Sequence, residues 1–483
     1  LAFAASAPDD AVRWFALARE HLDGDDDDVE TDVDLLTRLA RAEWSAGVGD
    51  ARGHLREAAR RAHAAGLHRA MIDALLVAVR TSFNEEQESD PEKIELLEHA
   101  LGFLDDDPAL RARVLGMLAI ELIFVGDTTR RGPMLDEARE LARRSGDPLA
   151  VVDVSACDFN ARPRSTWSAQ QVEIDRLAIA EALGAARQLG DAERLAAMHL
   201  QNFFAVFICG DGAQARAHAD ALAQLHADGN PLAFRALLMA EQMLATVEGR
   251  LIEAEALSIE QFDVWRKAGI AEALTYRSTE QLAVRREQGR LGEIVSGWQR
   301  FVAEHPRDAS SRGTVAFALA ESGDIDSAAR MLDDMKRAGF ATMSDDAGWP
   351  LAIATWSEVA VRVGDRDAAL ALHELVSVYD GLAVGTGGIG LGPASRLLAL
   401  LETLLERPTD ADRHFEASIA KAHDMISPVW IARCQLDWAT ALLDRAETAR
   451  ARDLVDDADT TIGSLTLPAL QQQSARLRAL LAR

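Results

Sequence analysis

Glycines between positions 385 and 390 form the most recognisable chemical motif of this sequence. They fit the pattern G-x-G-x-x-G, with which a turn between a strand and a helix holds the pyrophosphate of a dinucleotide. That chemistry also needs a preceding strand and a nearby βαβ alternation, whereas residues 373–379 continue a helical stripe. The sequence therefore favours a flexible glycine-rich loop between two helices over residues 385–393, with Pro393 preparing the next helix.

Other residue types with catalytic or metal-binding chemistry lack the spacing that this chemistry requires. The sequence contains neither a G-x-x-x-x-G-K-[ST] phosphate loop nor an H-E-x-x-H zinc motif. Its clustered histidines are 5, 8 or 9 residues apart, and not the four of a helical metal pair. The acidic run 23–28 lacks the ligand order of a calcium loop, and Cys434 lies in a helical pattern typical of a buried thiol. We predict no catalytic residue, no metal site and no cofactor.

Large aromatic residues in the last third of the chain are the candidate binding residues. Trp430 and Trp438 are eight positions apart, which places them near one face of a helix. In a helical-repeat protein, such side chains either fill the space between repeats or line a concave pocket for a peptide or small ligand. Both interpretations stay open at this point. The candidates are Trp349, Trp356, Tyr379, Trp430 and Trp438.

The elements that must position these residues are helix pairs, because one turn signal recurs along the chain. Its glycines are separated by 39, 40, 34 and 41 residues, a loose period that is typical of stacked helix pairs. The glycines are Gly210, Gly249, Gly289, Gly323 and Gly364. In all of these repeats except the one at Gly289, which has Ile294, the fifth residue after the glycine is alanine: Ala215, Ala254, Ala328 and Ala369.

The repeat over residues 314–339 shows why this pattern forms a helix pair. An apolar stripe precedes Gly323, where the end of a helix favours a left-handed residue. Asp324 then caps the second helix, and Ala328 begins its apolar face. Since the two helices approach most closely where their ridges cross, a small side chain is favoured at that position.

Composition and charge exclude several classes of function. Hydrophobic residues are 48% of the chain but aromatics only 5%, so alanine and leucine build the core and helices are favoured over strands. The net charge of −27 opposes direct binding of nucleic acid. No apolar run approaches the ~20 residues of a membrane span, and three scattered cysteines suit a reducing compartment. We therefore expect a cytoplasmic protein without membrane or nucleic-acid contacts.

Several stretches of the sequence carry a family resemblance: residues 95–101, 282–291, 390–393, 414–417 and 430–433. With them, the chain resembles the C-terminal tetratricopeptide-like arm of bacterial ATP-binding LuxR-type transcriptional regulators and related signal-transduction ATPases with cyclase-like modules. The resemblance implies an arm that binds an effector or partner and so controls an upstream nucleotide switch. A chain that starts at Leu1 without methionine fits an excised arm whose NTPase module is missing.

These observations predict an all-α fold: one tetratricopeptide-like solenoid over residues 1–483, a superhelix of antiparallel helix pairs. We expect an irregular connection near 158–168 and the glycine-rich loop over 385–393 as its main interruptions. The leading functional hypothesis is a non-catalytic module that binds a protein partner or small effector on its concave face, as the sensory arm of such a regulator. The alternative is a free-standing scaffold that joins proteins; a hydrolase or transferase within a helical shell lacks supporting residues.

Overall fold

The computed structural model describes residues 8–21, 29–46, 48–77, 90–123, 125, 127–267, 273–304, 308–343, 345–386, 388–463 and 465–482. The acidic run 23–28, expected to be a solvated linker, lies outside these residues. The structure is 82% helical, which confirms the predicted all-α helical-repeat fold. Among the described helices, none is long and apolar enough to cross a membrane.

The first eight helices precede the irregular connection. They are α1 (Pro8–Glu20), α2 (Val29–Ala46), α3 (Ala51–Ala64), α4 (His68–Leu75), α5 (Pro91–Leu101), α6 (Pro108–Glu121), α7 (Thr128–Ser145) and α8 (Pro148–Ala161).

The middle helices follow that connection. They are α9 (Ala169–Leu189), α10 (Ala192–Cys209), α11 (Gly212–Ala227), α12 (Pro231–Val247), α13 (Leu251–Lys267), α14 (Ala273–Gln288), α15 (Val295–Glu304), α16 (Ala309–Glu321), α17 (Ile325–Ala338), α18 (Trp349–Val363) and α19 (Arg366–Ser377).

The last part of the chain begins with two strands and ends with five helices. They are β1 (Ala383–Thr386), β2 (Ile389–Pro393), α20 (Ala394–Leu404), α21 (Pro408–Asp424), α22 (Pro428–Asp444), α23 (Thr448–Ile462) and α24 (Pro468–Leu481).

The described residues group into two compact units. Unit 1 is formed by those within 1–163, 181–198 and 262–273, and unit 2 by those within 164–180, 199–261 and 274–483. The single continuous array expected over 1–483 stays a prediction. In unit 1, the core is built mainly from leucine, alanine and methionine of α2 to α6, including Leu36, Ala58, Met71, Leu97 and Met117.

The repeating turn has the predicted geometry. All five recurring glycines have positive φ, from 70° at Gly289 to 91° at Gly323. After Gly323, the carboxylate of Asp324 accepts a hydrogen bond from the backbone N–H of Ser327 at 3.1 Å and caps α17. The predicted small-residue positions are fully buried at Ala215, Ala254, Ala328 and Ala369. In the repeat with Ile294, a single 3₁₀ turn over Leu291–Glu293 precedes α15.

The irregular connection is shorter than the sequence predicts. Helix α8 continues to Ala161, and the irregular part therefore covers residues 162–168, with one 3₁₀ turn at Arg164–Thr166. There, the guanidinium of Arg164 lies over the indole of Trp167, 3.6 Å from the ring centroid. This distance is within the range of a cation–π interaction.

The prediction of a flexible loop over residues 385–393 is wrong. Most of these residues belong to a buried antiparallel hairpin. Val384 pairs with Gly392 and Thr386 with Ile389, and every position of β2 is buried. The glycines serve close approach rather than flexibility: a Cβ on Gly392 would lie 2.5 Å from the ring of Trp430. The strands of this hairpin do not belong to a βαβ unit, since their neighbours along the chain are α19 and α20. Gly387 lies outside the described residues.

Candidate functional site

One pocket of unit 2 lies where six helices and strand β2 meet. Its walls come from α12, α14, α16, α18, α20 and α22, which are the first helices of successive pairs. It holds about 520 Å³ of empty space including its open mouth, and its interior leaves room for water-sized groups. The pocket therefore follows from the repeat, because each of these pairs contributes its first helix to the wall.

The polar wall of this pocket is centred on Glu358, a buried carboxylate of α18. Its Oε1 accepts hydrogen bonds from Arg286 at 2.5 Å and from Arg396 at 2.7 Å. Its Oε2 accepts one from Arg362 at 2.5 Å. Burial by itself would raise the pKa of Glu358, but the positive charges of Arg286 and Arg396 lower it to about 2. Glu358 is thus ionised and serves three guanidinium groups.

Two further ion pairs extend this network to α22. Nη2 of Arg433 donates to both carboxylate oxygens of Glu287, at 2.8 and 2.6 Å. Nε of Arg396 donates to Asp437 at 2.7 Å. Because both partners of the first pair are buried, this pair is shielded from solvent and its attraction is screened little by salt.

Trp430 of α22 lies among the guanidinium groups of this network. Those of Arg286, Arg396 and Arg433 are 5.3, 5.6 and 5.8 Å from the ring centroid. These distances allow cation–π attraction, which is stronger where water is excluded. Since the indole also contacts Gly392 of β2, Trp430 links the charged network to the hairpin.

Arg286 has fewer hydrogen-bond partners than its buried position requires. Its Nη2 shares Oε1 of Glu358 with Arg396, and its Nε is buried without a hydrogen-bond partner among the described residues. The nearest oxygen of Glu287 is 4.0 Å from that Nε, beyond hydrogen-bond range. Burial lowers the pKa of Arg286 to about 10, against the attraction of Glu358, so the group stays charged at neutral pH.

The structure places Trp430 in the wall of the pocket and buries the other four aromatic candidates within the packing of unit 2. Trp356 donates from Nε1 to the carbonyl oxygen of Ala309 at 3.1 Å. The hydroxyl of Tyr379 donates to the carbonyl oxygen of Arg164 at 2.6 Å. Trp349 is 4% exposed at the start of α18.

Trp438, the last candidate, belongs to a hydrophobic cluster of the C-terminal helices. Its ring stacks on Phe415 with centroids 6.0 Å apart, and its Nε1 donates to Asp412 at 2.8 Å. Trp438 and Trp430, eight positions apart on α22, therefore have different surroundings. A binding role for any of the five stays a prediction, and Trp430 is the one that lines the pocket.

Sequence reasoning missed the charged residues of this site. Glu358 is the one charged residue between Trp349 and Val361 of α18, an otherwise apolar stretch. Arg433 similarly interrupts an apolar stretch of α22. A single charged residue within an apolar stretch of a helix is the signal that could have found them. Burial of such a residue is costly unless a partner neutralises its charge.

The residues that line the pocket offer both polar and apolar contacts. The lining residues include arginine, glutamate and threonine but no cysteine, histidine or lysine. In the described part of the chain, no group of three or more histidine, cysteine or acidic side chains is placed to hold a metal ion. The pocket can therefore offer a cationic donor, a carboxylate and an apolar wall to a small group.

The chain has a tetratricopeptide-like helical-repeat fold. No family model matches the sequence, and no curated protein matches it. Among solved structures, the chain is similar to one from the APC/C hetero-tetramer Cut9–Hcn1, at 12% identity and a TM-score of 0.51. That similarity covers 94% of this chain and 78% of the other. At this identity, it shows the fold alone.

Two further solved structures give lower TM-scores. A Rap protein complexed with Competence and Sporulation Factor is 12% identical, with a TM-score of 0.29, over 88% of this chain and 95% of that one. A chain from the structure of Naa15/Naa10 bound to HypK-THB is 12% identical, with a TM-score of 0.20. This similarity covers 98% of the present chain and 97% of the other.

Proposed function

We propose that this chain is a non-catalytic binding module that holds a protein partner or a small effector at the inner face of unit 2. The observation that supports this proposal is the pocket at Trp430, to which six first helices of successive pairs contribute. An occupant of this pocket contacts helices as far apart in the chain as α12 and α22 at once. Its binding energy therefore depends on how these helices are arranged.

This dependence suits a regulatory arm. An occupant that prefers one arrangement of the inner helices shifts the population toward it, by as much as its affinities for the two arrangements differ. In the LuxR-type and cyclase-like regulators that the sequence resembles, such an arm follows a nucleotide-binding module. On this proposal, the chain is the sensory and regulatory part of a bacterial transcriptional or signalling ATPase.

A free-standing scaffold that joins proteins is the second candidate function. It is favoured by the similarity in fold to a chain of the Cut9–Hcn1 hetero-tetramer, a protein that is itself part of an assembly. The two candidates differ in where a partner binds. A sensor requires the inner pocket, whereas a scaffold can use any face of the helix pairs.

Selection from a random peptide library, with wild-type protein and a pocket-filled variant, tests this proposal. Ala354 lines the pocket and is 4% exposed, so Ala354→Leu fills it without changing charge. The exposed Ala371 of α19 supplies the control variant Ala371→Leu. We expect peptides that bind the wild type and the control but not Ala354→Leu. Peptides that bind all three equally would favour the scaffold, and the absence of any retained peptide would contradict a protein partner for either function.

The regulator context has its own test. A phosphate-binding loop encoded in frame upstream of residue 1 supports the arm of an ATPase. A start codon directly before that residue contradicts it and leaves the scaffold.

A further inference from the structure

We infer that the pocket at Trp430 selects a short aliphatic carboxylate, with the carboxylate held by Arg286 and the aliphatic part against the apolar wall. This inference rests on the proposed binding function and names the chemical class of its ligand. A free monocarboxylic acid and the C-terminal residue of a peptide share this chemistry.

The first observation is the incomplete hydrogen bonding of Arg286. A guanidinium group has five N–H donors and no acceptor. Arg286 uses Nη2 toward Glu358, whose two oxygens already serve Arg396 and Arg362. Its Nε has no hydrogen-bond partner among the described residues. A buried donor without a partner is destabilising, and an oxygen of a bound carboxylate would satisfy it.

The second observation is the charge around Trp430. Three buried guanidinium groups surround the indole, those of Arg286, Arg396 and Arg433. Two carboxylates, Glu287 and Glu358, have 3% exposed side chains in this network. The third carboxylate, Asp437, is 12% exposed and also accepts a hydrogen bond from Gln473. Three guanidinium groups therefore face three carboxylates. The network has no excess of positive charge, so a bound carboxylate would be attracted mainly through its direct contact with Arg286.

The third observation is the apolar remainder of the wall. Leu282, Leu391, Leu397 and Val429 line it, and none of these side chains offers a hydrogen bond. A phosphate or a dicarboxylate would place charged oxygens against them without donors, which is unfavourable. An aliphatic chain instead buries its apolar surface there. Because the interior leaves room for water-sized groups, the chain is short.

Calorimetric titration with acetate, propionate, butyrate and hexanoate, each compared with the amide of the same acid, tests this inference. The amide has nearly the same shape but no charge. We expect one site per chain, with a carboxylate bound about tenfold or more tightly than its amide. Ala354→Leu should abolish binding, and the control Ala371→Leu should leave it unchanged.

Arg286→Gln addresses the proposed donor directly and should remove the preference for the acid over the amide. If this variant fails to fold, Arg286→Lys keeps the charge but not the guanidinium geometry and should retain a reduced preference. Peptides with a free or an amidated C-terminal valine distinguish the two sources of the carboxylate. Tight binding of the free peptide, with weak binding of the free acids, assigns the site to a chain end.

Equal affinity for an acid and its amide would overturn this inference. Binding of an acid that persists in Ala354→Leu would also overturn it, as would the failure of both the free acids and the peptide with a free C-terminus to bind. The proposed function has a separate outcome. Library peptides that need the open pocket, but show no preference for a carboxylate, leave the binding module intact and remove only its assigned ligand class.

Discussion

Arg433 of α22 and Glu287 of α14 form a buried ion pair across 146 positions of sequence, with Nη2 of the arginine 2.8 and 2.6 Å from the two carboxylate oxygens. The side chains are 7% and 3% exposed. The pair joins α22, the last of the six helices that line the pocket, to α14, which precedes it by four helix pairs. Helices distant in sequence therefore meet through a buried ion pair as well as through apolar packing.

Removal of Arg433 should destabilise unit 2 strongly. Arg433→Met leaves the carboxylate of Glu287 buried without its partner, and we expect a loss of about 3–5 kcal/mol in the free energy of unfolding. Urea unfolding followed by tryptophan fluorescence measures this loss. The double variant Arg433→Met/Glu287→Leu should recover most of it, since no buried charge is then left unpaired.

A surface pair supplies the control for this experiment. Arg337 pairs with Asp334 on α17, and their side chains are 78% and 52% exposed. Arg337→Met should change the free energy of unfolding by less than about 1 kcal/mol. A loss of the same size for Arg337→Met and Arg433→Met would show that burial of the pair is not what matters.

Ala369 tests the small-residue position of the repeat. It is fully buried on α19, and Ala369→Leu should overpack the helix crossing and cost about 1–3 kcal/mol. The exposed Ala371 lies two residues later on the same helix, and Ala371→Leu should stay within about 0.5 kcal/mol of the wild type. Thermal melts of both variants measure the difference, and equal midpoints would contradict the predicted repeat register. We expect the same loss for Ala328→Leu on α17.

Glu280 should make stability depend on pH near neutrality. Its side chain is fully buried and accepts hydrogen bonds from Ser258 and Gln261, both at 2.6 Å. Burial raises the pKa of Glu280 from 4.5 to about 7, although these hydrogen bonds oppose the change. The folded state then binds a proton more tightly than the unfolded state does. Stability from this group is present below pH 4.5 and is lost as the pH rises to 7.

Glu280→Gln removes this titration and keeps a side chain of similar shape. Relative to this variant, the wild type should lose about 3 kcal/mol of stability between pH 4.5 and 7. Urea unfolding at several pH values measures both proteins. Parallel pH profiles would show that Glu280 is ionised in the folded state throughout this range.

Gly392 tests the contact between the hairpin and Trp430. Its φ is 90°, and an added Cβ would lie 2.5 Å from the indole. Gly392→Ala should therefore lower the free energy of unfolding by about 2–5 kcal/mol, from backbone strain and steric overlap together.

Gly364 supplies the control, because it also has positive φ, at 80°, but has no atom within 4 Å of an added Cβ. Gly364→Ala should cost only the backbone part, about 1–2 kcal/mol. Equal losses in chemical unfolding would contradict the close packing of β2 on Trp430.

The local rules of the helix pair could be predicted from sequence because they act over a few residues. Gly323 requires positive φ, Asp324 caps the next helix, and Ala328 occupies the crossing, each through neighbours within about one turn. The hairpin could not be predicted in this way. Its glycines are typical of a flexible loop when only the local sequence is considered. The need for glycine at position 392 comes from Trp430, which is 38 residues later in the chain.

The residues of the candidate site were also predicted only in part. Its tryptophan was among the residues predicted from sequence, whereas Arg286, Glu358 and Arg433 were not, because charged residues in a helix usually face solvent. Only the packing of α14, α18 and α22 around one interior turns these charges toward each other.

The amino-acid sequence was enough to predict the helices, their period and the turns between them, because hydrophobic spacing, capping and left-handed glycines are local properties of the chain. The tertiary structure alone decided which buried charges meet and where a pocket remains. These features depend on side chains far apart in the sequence, such as Arg433 and Glu287 at 146 positions, and no local pattern specifies such contacts.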